Sequence, residues 1–277
     1  MNSYNKKTNS FVFCIFLLLH LPSIKANEYS FGVVPQFGAR KLHAIWKPIL
    51  NELSKKTGHS FKLIGTKTIP SFEYSFQQGE YDFAYMNPWH SLIAFERQGY
   101  VPMVRDNSRK LKGILVVRKD SGITRVKELD GQLVAFPSPN ALGASLLIRA
   151  DLKLLHGINI HPVYVDTHSS VYLNVALKQT KAGGGVYRSF NKQEPIIQSL
   201  LETLYETRPM SPHPISAHPR VPKVVVLQVI QAFLEMRDSP EKIRLLEQVP
   251  MSEPVRARLE DYLPLKEWNL RDFYVGD

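Results

Sequence analysis

The chain has 277 residues, of which 35 are basic and 25 acidic, for a formal charge of +10. Its basic residues are scattered rather than clustered with aromatics on one element, which argues against a nucleic-acid partner and favours small anions or an acidic surface. A single cysteine, Cys14, rules out an internal disulfide framework and any multi-thiolate metal site.

Lys6 and Lys7 precede an apolar run over residues 11–21, and residues 22–26 offer small side chains for cleavage after Ala26. Residues 1–26 therefore read as a secretory signal peptide. The alternative, an uncleaved anchor, needs about 20 apolar residues, which this run does not reach. Phe11-Val12-Phe13 does not match a lipobox, so lipidation of Cys14 is not expected. Cleavage removes Cys14 and three lysines, Lys6, Lys7 and Lys25, so +10 falls to +7. A secreted chain without thiols then rests on its core alone, and about 250 residues suffice for that.

Four times an apolar run stops at a Pro, Gly or Asn turn and restarts as a helix: residues 29–35, 81–90, 133–140 and 182–186. Ligands of open α/β sheets bind at such strand ends, where helix N-termini present free N–H groups. A small polar or anionic ligand is the expectation.

In chain order, the periodicity predicts strand 30–34, helix 42–53, strand 61–64, helix 70–78, strand 81–85 and helix 89–98. That βαβαβα order implies a sheet covered by helices. Strands 101–105 and 112–118 flank the polar stretch 106–110, which reads as a crossing to a second lobe. There follow a short helix 126–131, strand 133–136, helix 141–156, strand 161–165, helix 169–178, strand 184–187, and a helix with a return strand over 195–205.

Residues 207–222 hold five prolines, which forbid regular helix and favour an extended path. This reads as a second crossing that lines a cleft, the alternative being a linker between independent domains. Helices predicted at 224–236, 240–248 and 254–262 would return to cover the first lobe. The organisation is then signal peptide 1–26, lobe 1 over 27–110, lobe 2 over 111–206, and the return crossing with C-terminal helices over 207–277.

Five stretches, Gly32-Val33-Val34-Pro35, residues 79–88, residues 112–118, Asp166-Thr167-His168-Ser169 and residues 182–186, occur in the order and spacing of a known group. Through them the chain resembles the periplasmic substrate-binding proteins of ABC transporters in the phosphate/phosphite/phosphonate-binding family. The resemblance implies a type II periplasmic binding protein: an α/β fold of two lobes, each a mostly parallel sheet with helices on both faces, joined by two extended crossings. It further implies hinge closure on one ligand and delivery to a membrane permease without chemistry. No cofactor and no metal are expected, and the chain should be a monomer. The same cleft could instead serve a sensory subunit that signals to a membrane kinase or cyclase; a secreted hydrolase is the third reading.

Where phosphonate binders carry a Ser-Thr-Ser run at a helix N-terminus, this chain has Ala141, Leu142 and Gly143. Main-chain N–H groups remain, with Ser138, Asn140 and Ser145 nearby. The tyrosine usual after the first-lobe Asn-Pro turn (Asn87, Pro88) is Ser91 here, with Trp89 and His90 adjacent, and the family's second-lobe histidine is matched by His168. Asn140 suits an N-cap and a ligand contact alike, and Trp89 fits the core as well as the cleft. Tyr85 ends a strand that can reach the cleft. Arg188 is the cation best placed for bidentate contact with an oxyanion. Gly183, Gly184 and Gly185 suggest close backbone approach to the ligand or to a crossing strand, and no phosphate-loop motif follows them. His213 and His218 have poor spacing for a metal. No nucleophile elbow or zinc-protease motif is present, and Asp82 and Asp151 show no partner for acid–base work. The candidate ligand set is thus Tyr85, Asn87, Trp89, His90, Ser138, Asn140, Ala141, Leu142, Gly143, His168 and Arg188.

Overall fold

The computed structural model describes residues 26–275 together with Met1; the apolar run and Cys14 lie outside the described residues. Two sheets organise them. The first takes β1 (Glu28–Val33), β2 (Ser60–Gly65), β3 (Phe83–Tyr85), β4 (Val101–Asp106), β10 (Ile215–Ala217) and β11 (Pro254–Arg256), in the order β11-β4-β10-β3-β1-β2. The second takes β5 (Gly113–Arg118), β6 (Leu133–Phe136), β7 (His161–Tyr164), β8 (Ala182–Val186) and β9 (Leu201–Glu206), in the order β7-β6-β8-β5-β9.

Helices α1 (Ala39–Thr57), α2 (Ile69–Gln77) and α3 (Pro88–Gln98) alternate with the first strands. The apolar stripe of α1 at Leu42, Ile45, Trp46, Ile49, Leu50 and Leu53 is buried, as its spacing predicts. Gly58, at φ 73°, closes the helix in the left-handed conformation that glycine adopts without a Cβ clash. In the second lobe, α4 (Leu147–Leu154), α5 (His168–Ala176), α6 (Tyr187–Phe190) and α7 (Pro195–Leu200) flank the sheet. Alternate residues of β5 supply two cores: Leu115 and Val117 pack with Phe136 and Ile148, and Ile114 and Val116 with Tyr172 and Val175. That period of two covers both faces of the sheet.

The ladders are more mixed than a plain parallel sheet. β1, β2 and β3 are parallel, as are β7, β6 and β8, but β10, β11 and β5 run against their neighbours. β5 and β10 stand where the chain has just changed lobe, so their direction follows from the crossings, whereas β11 is an edge strand added after α9. The crossings themselves touch: Leu111 and Met210 exchange main-chain hydrogen bonds of 2.9 and 3.0 Å. Of the proline-rich path, the Pro-free triplet of β10 inserts between β3 and β4, because only residues with an N–H can pair on both sides.

Two predicted helices differ. The one at 141–156 opens with a π-helical segment, Leu142–Leu146, before α4 begins. The one at 254–262 is instead β11, followed by 3-10 turns at Leu259–Asp261, Leu263–Trp268 and Leu270–Phe273. Pro254 starts an edge strand, where its missing N–H costs nothing. Helices α8 (Lys223–Arg237) and α9 (Pro240–Gln248) do return to the first lobe's core, but the tail beyond them does not stay there. Tyr262, Leu265 and Leu270 pack against Leu142, Leu146 and Leu147 of the second lobe as well as Trp89 and Leu92 of the first.

Candidate functional site

The strand-to-helix junctions after β1, β3, β6 and β8 open onto one cavity of about 210 Å³ between the lobes. Val34, Gln36, Phe37, Asn87 and His213 wall it from the first lobe, and Ala141–Ala144, His168 and Arg188 from the second. Arg109 to Lys112 of the first crossing complete it.

Its most distinctive feature is main chain. At the π-helical start, Ser145 and Leu146 both donate to Ala141 O, at 2.7 and 3.2 Å. The N–H groups of Leu142, Gly143 and Ala144 are left with no acceptor among the described residues. Three successive free donors at the positive end of a helix are an arrangement that can seat an anion without any side-chain hydroxyl. Glycines hold this turn in place. A Cβ on Gly113 would lie 1.9 Å from Gly143 O, and one on Gly184 would lie 2.0 Å from Ala144 O. The Gly183–Gly185 run thus admits close contact with the seat's own backbone and, at Gly183 and Gly185, with Val171 and Tyr172 of α5. The sequence suggested close approach to the ligand or to a crossing strand; the glycines also pair with β5 and β6 on either side of β8.

Just before the seat, Asn140 ties the lobes together. Its Nδ2 donates to Glu73 Oε2 (3.0 Å) and Val275 O (2.7 Å), and its Oδ1 accepts from Val275 N–H (2.9 Å). Asn87 Nδ2 donates to Asn140 O at 3.2 Å, while Asn87 Oδ1 caps α3 through His90 N–H at 2.8 Å. Glu73 completes the network at 2.7 Å from His90 Nε2, with both groups buried.

The two cavity histidines are neutral at pH 7. Burial lowers His168 to about 4, and its Nδ1 lies 3.1 Å from Ser189 Oγ. His213 is lowered to about 3, first by burial and then by the nearby His90, Arg188 and His168; its Nε2 is 2.9 Å from Gln36 Nε2. Both therefore act as hydrogen-bonding groups rather than as charges. Arg188 supplies the charge instead. Its guanidinium is half-buried and bonded to Gln248 O, with no carboxylate partner among the described residues.

Of the candidate ligand residues, Asn87, Ala141, Leu142, Gly143, His168 and Arg188 line this cavity. The other five sit one layer behind it. Tyr85 packs between Trp46 and His213, with ring centroids 4.9 and 5.4 Å away; burial pushes its phenol well above the usual range. Trp89 belongs to the core shared with the tail. His90 and Asn140 belong to the inter-lobe network, and Ser138 is buried with its hydroxyl unpartnered. Gln36, Phe37, Arg109, Ser189 and His213 were not singled out from the sequence for ligand contact, although Gln36 and Phe37 directly follow a flagged junction. Asp82 and Asp151 do have partners, Arg220 at 2.6 Å and Arg208 at 2.8 Å, which make them structural ion pairs.

A two-lobe α/β receptor with a basic inter-lobe cleft is the class that this architecture defines. Residues 31–262 match the family described as ABC transporter, phosphonate, periplasmic substrate-binding protein, and the chain belongs to that family. Solved structures share the type II binding-protein fold at low identity. A binding protein component of an ABC phosphonate transporter from Pseudomonas aeruginosa aligns with TM-score 0.80 at 14% identity, covering 90% of this chain and 88% of that one. PhnD1 from Prochlorococcus marinus, in complex with methylphosphonate, gives 0.80 at 15%, covering 90% and 99%. A Xanthomonas citri protein bound to ATP gives 0.76 at 14%, covering 90% and 99%. No curated protein matches the chain by sequence.

Proposed function

We propose that the chain is an extracytoplasmic receptor that captures a small phosphorus oxyanion between its lobes and passes it unchanged to the permease of an ABC importer. The observation that carries this reading is the row of three free main-chain amides at Leu142–Ala144, facing a cavity that both lobes enclose. Arg188 adds the fixed positive charge, and the two neutral histidines, with Asn87, add uncharged hydrogen-bonding groups that set orientation. The methylphosphonate bound by the Prochlorococcus relative is of the ligand class that such a seat suits.

Chemistry at the site is disfavoured on geometry. Ser189 and His168 lie within reach of each other as a nucleophile and base would. Yet the Ser189 hydroxyl is buried, bonded to Val186 O at 2.9 Å and within 2.7 Å of Tyr172 Oη. His168, lowered to about 4, is a weak base, and no carboxylate orients it among the described residues. The mature chain starts just after Ala26 in this reading. Asn27 is already part of the fold: its N–H reaches His59 Nδ1 (3.3 Å) and its carbonyl accepts from Ser60 (2.9 Å).

Calorimetric titration of the mature chain with methylphosphonate, phosphite and phosphate tests the reading. At least one should bind, and Arg188→Gln should weaken it by about 1.5–3 kcal/mol, the range for a hydrogen bond to a charged group. Hydrolysis of a phosphonate or phosphate ester that is lost in Ser189→Ala would contradict the transport role.

A further inference from the structure

The charged residues in and around the cavity are largely exposed. The free amides belong to buried residues, and apolar side chains such as Val34, Ile69, Leu142 and Val186 also line the cavity. At the mouth, Lys41 from the first lobe and Lys192 from the second both stand over the ring of Phe37, with Nζ 4.5 and 5.4 Å from its centroid. Arg188 and Arg109 adjoin them on the cavity wall. These groups feel one another: Lys192 is held below the usual ammonium range by burial and then by Arg188 and Lys41, and Arg188 is lowered by burial and by Arg109.

Among the described residues, none of these four cations has a carboxylate within ion-pair distance. Lys112 does, pairing with Glu206 at 2.8 Å. The one carboxylate on the described cavity wall is the exposed Asp166. Closing two lobes brings like charges together, and that is unfavourable unless an anion comes between them. A single phosphonyl group seated on the amides of Leu142–Ala144 and met by Arg188 carries at most two negative charges, which leaves Arg109, Lys41 and Lys192 uncompensated.

Resting on the reading of the cleft as an oxyanion site, we propose that the ligand carries a second anionic group on a short uncharged spacer, held by Arg109, Lys41 and Lys192. Phosphonocarboxylates and diphosphonates are the chemical class. Phosphonates that end in an ammonium are the class this mouth rejects.

Three probes decide it by calorimetry on the mature chain, at one pH and low salt: methylphosphonate, phosphonoacetate and 2-aminoethylphosphonate. Phosphonoacetate should bind at least about tenfold tighter than methylphosphonate, the lower end of what one charge-assisted hydrogen bond supplies. The ammonium-bearing probe should bind weakest. In the double variant Lys41→Gln, Lys192→Gln the advantage of phosphonoacetate should shrink. Methylphosphonate binding as tightly as phosphonoacetate, or the ammonium probe binding best, overturns the second group while leaving the receptor reading intact. An undiminished advantage in the double variant overturns the role given to the lysines. Failure of all three probes to bind the folded protein overturns the oxyanion reading and this inference together.

Discussion

His168 sits in the cleft wall with its proton affinity lowered to about 4 by burial, against about 6.5 for a histidine in an unfolded chain. Between those values the unfolded state binds a proton that the folded state does not. Stability is therefore full above about pH 6.5 and declines as pH falls towards 4. His168→Asn should lose less of its urea midpoint between pH 7 and 4.5 than the parent chain does. Equal losses in both would show that His168 does not carry this dependence. A second residue-scale case is Gly184, whose missing side chain lets Ala144 O approach. Gly184→Ala must push the seat outward, at a cost of about 1–3 kcal/mol for overpacking. Ligand affinity should fall with it, and unchanged denaturation and titration curves would refute the fit.

At the scale of elements, Glu73 on α2 joins His90 on α3 to Asn140 at the start of the seat, so one carboxylate links the two lobes beside the cavity. Glu73→Ala leaves two buried polar groups without their acceptor, at about 1–3 kcal/mol each. Because Asn140 immediately precedes the anion seat, ligand release should also speed up. A stopped-flow release rate equal to that of the parent chain would mean that the network stabilises the fold without latching the cleft. Sequence reasoning located the turn at Asn140 and the helix start at His90, since Pro, Asn and Gly punctuate the chain there. It did not tell which side chains of those turns face the cavity. Tyr85 and Trp89 turn into the core, and His90 and Asn140 into the inter-lobe network, a choice set by tertiary packing that the turn residues alone do not show. His213, considered only for metal spacing, became a cavity residue because the proline path carries it under Tyr85.

Across the whole molecule, the two crossings were legible because a charged stretch and five prolines interrupt otherwise periodic sequence. The tail was not, because short 3-10 turns lack the repeat that marks a longer helix. It acts as a third connector. Glu96 on α3 holds Lys266 at 2.8 Å and also pairs with Arg271, while Arg149 on α4 donates to Phe273 O at 2.6 Å. Tyr262 donates to Pro212 O at 3.1 Å, on the second crossing. Hinge motion in this protein must therefore move or release the tail as well as bend the straps.

Amide spectra of the 15N-labelled mature chain, recorded while methylphosphonate is added, address the anion seat itself. The N–H signals of Leu142, Gly143 and Ala144 should move together and downfield as they gain a charged acceptor, with those of the distant α8 and α9 unmoved. Saturable binding that leaves these three signals in place would show that the oxyanion rests elsewhere.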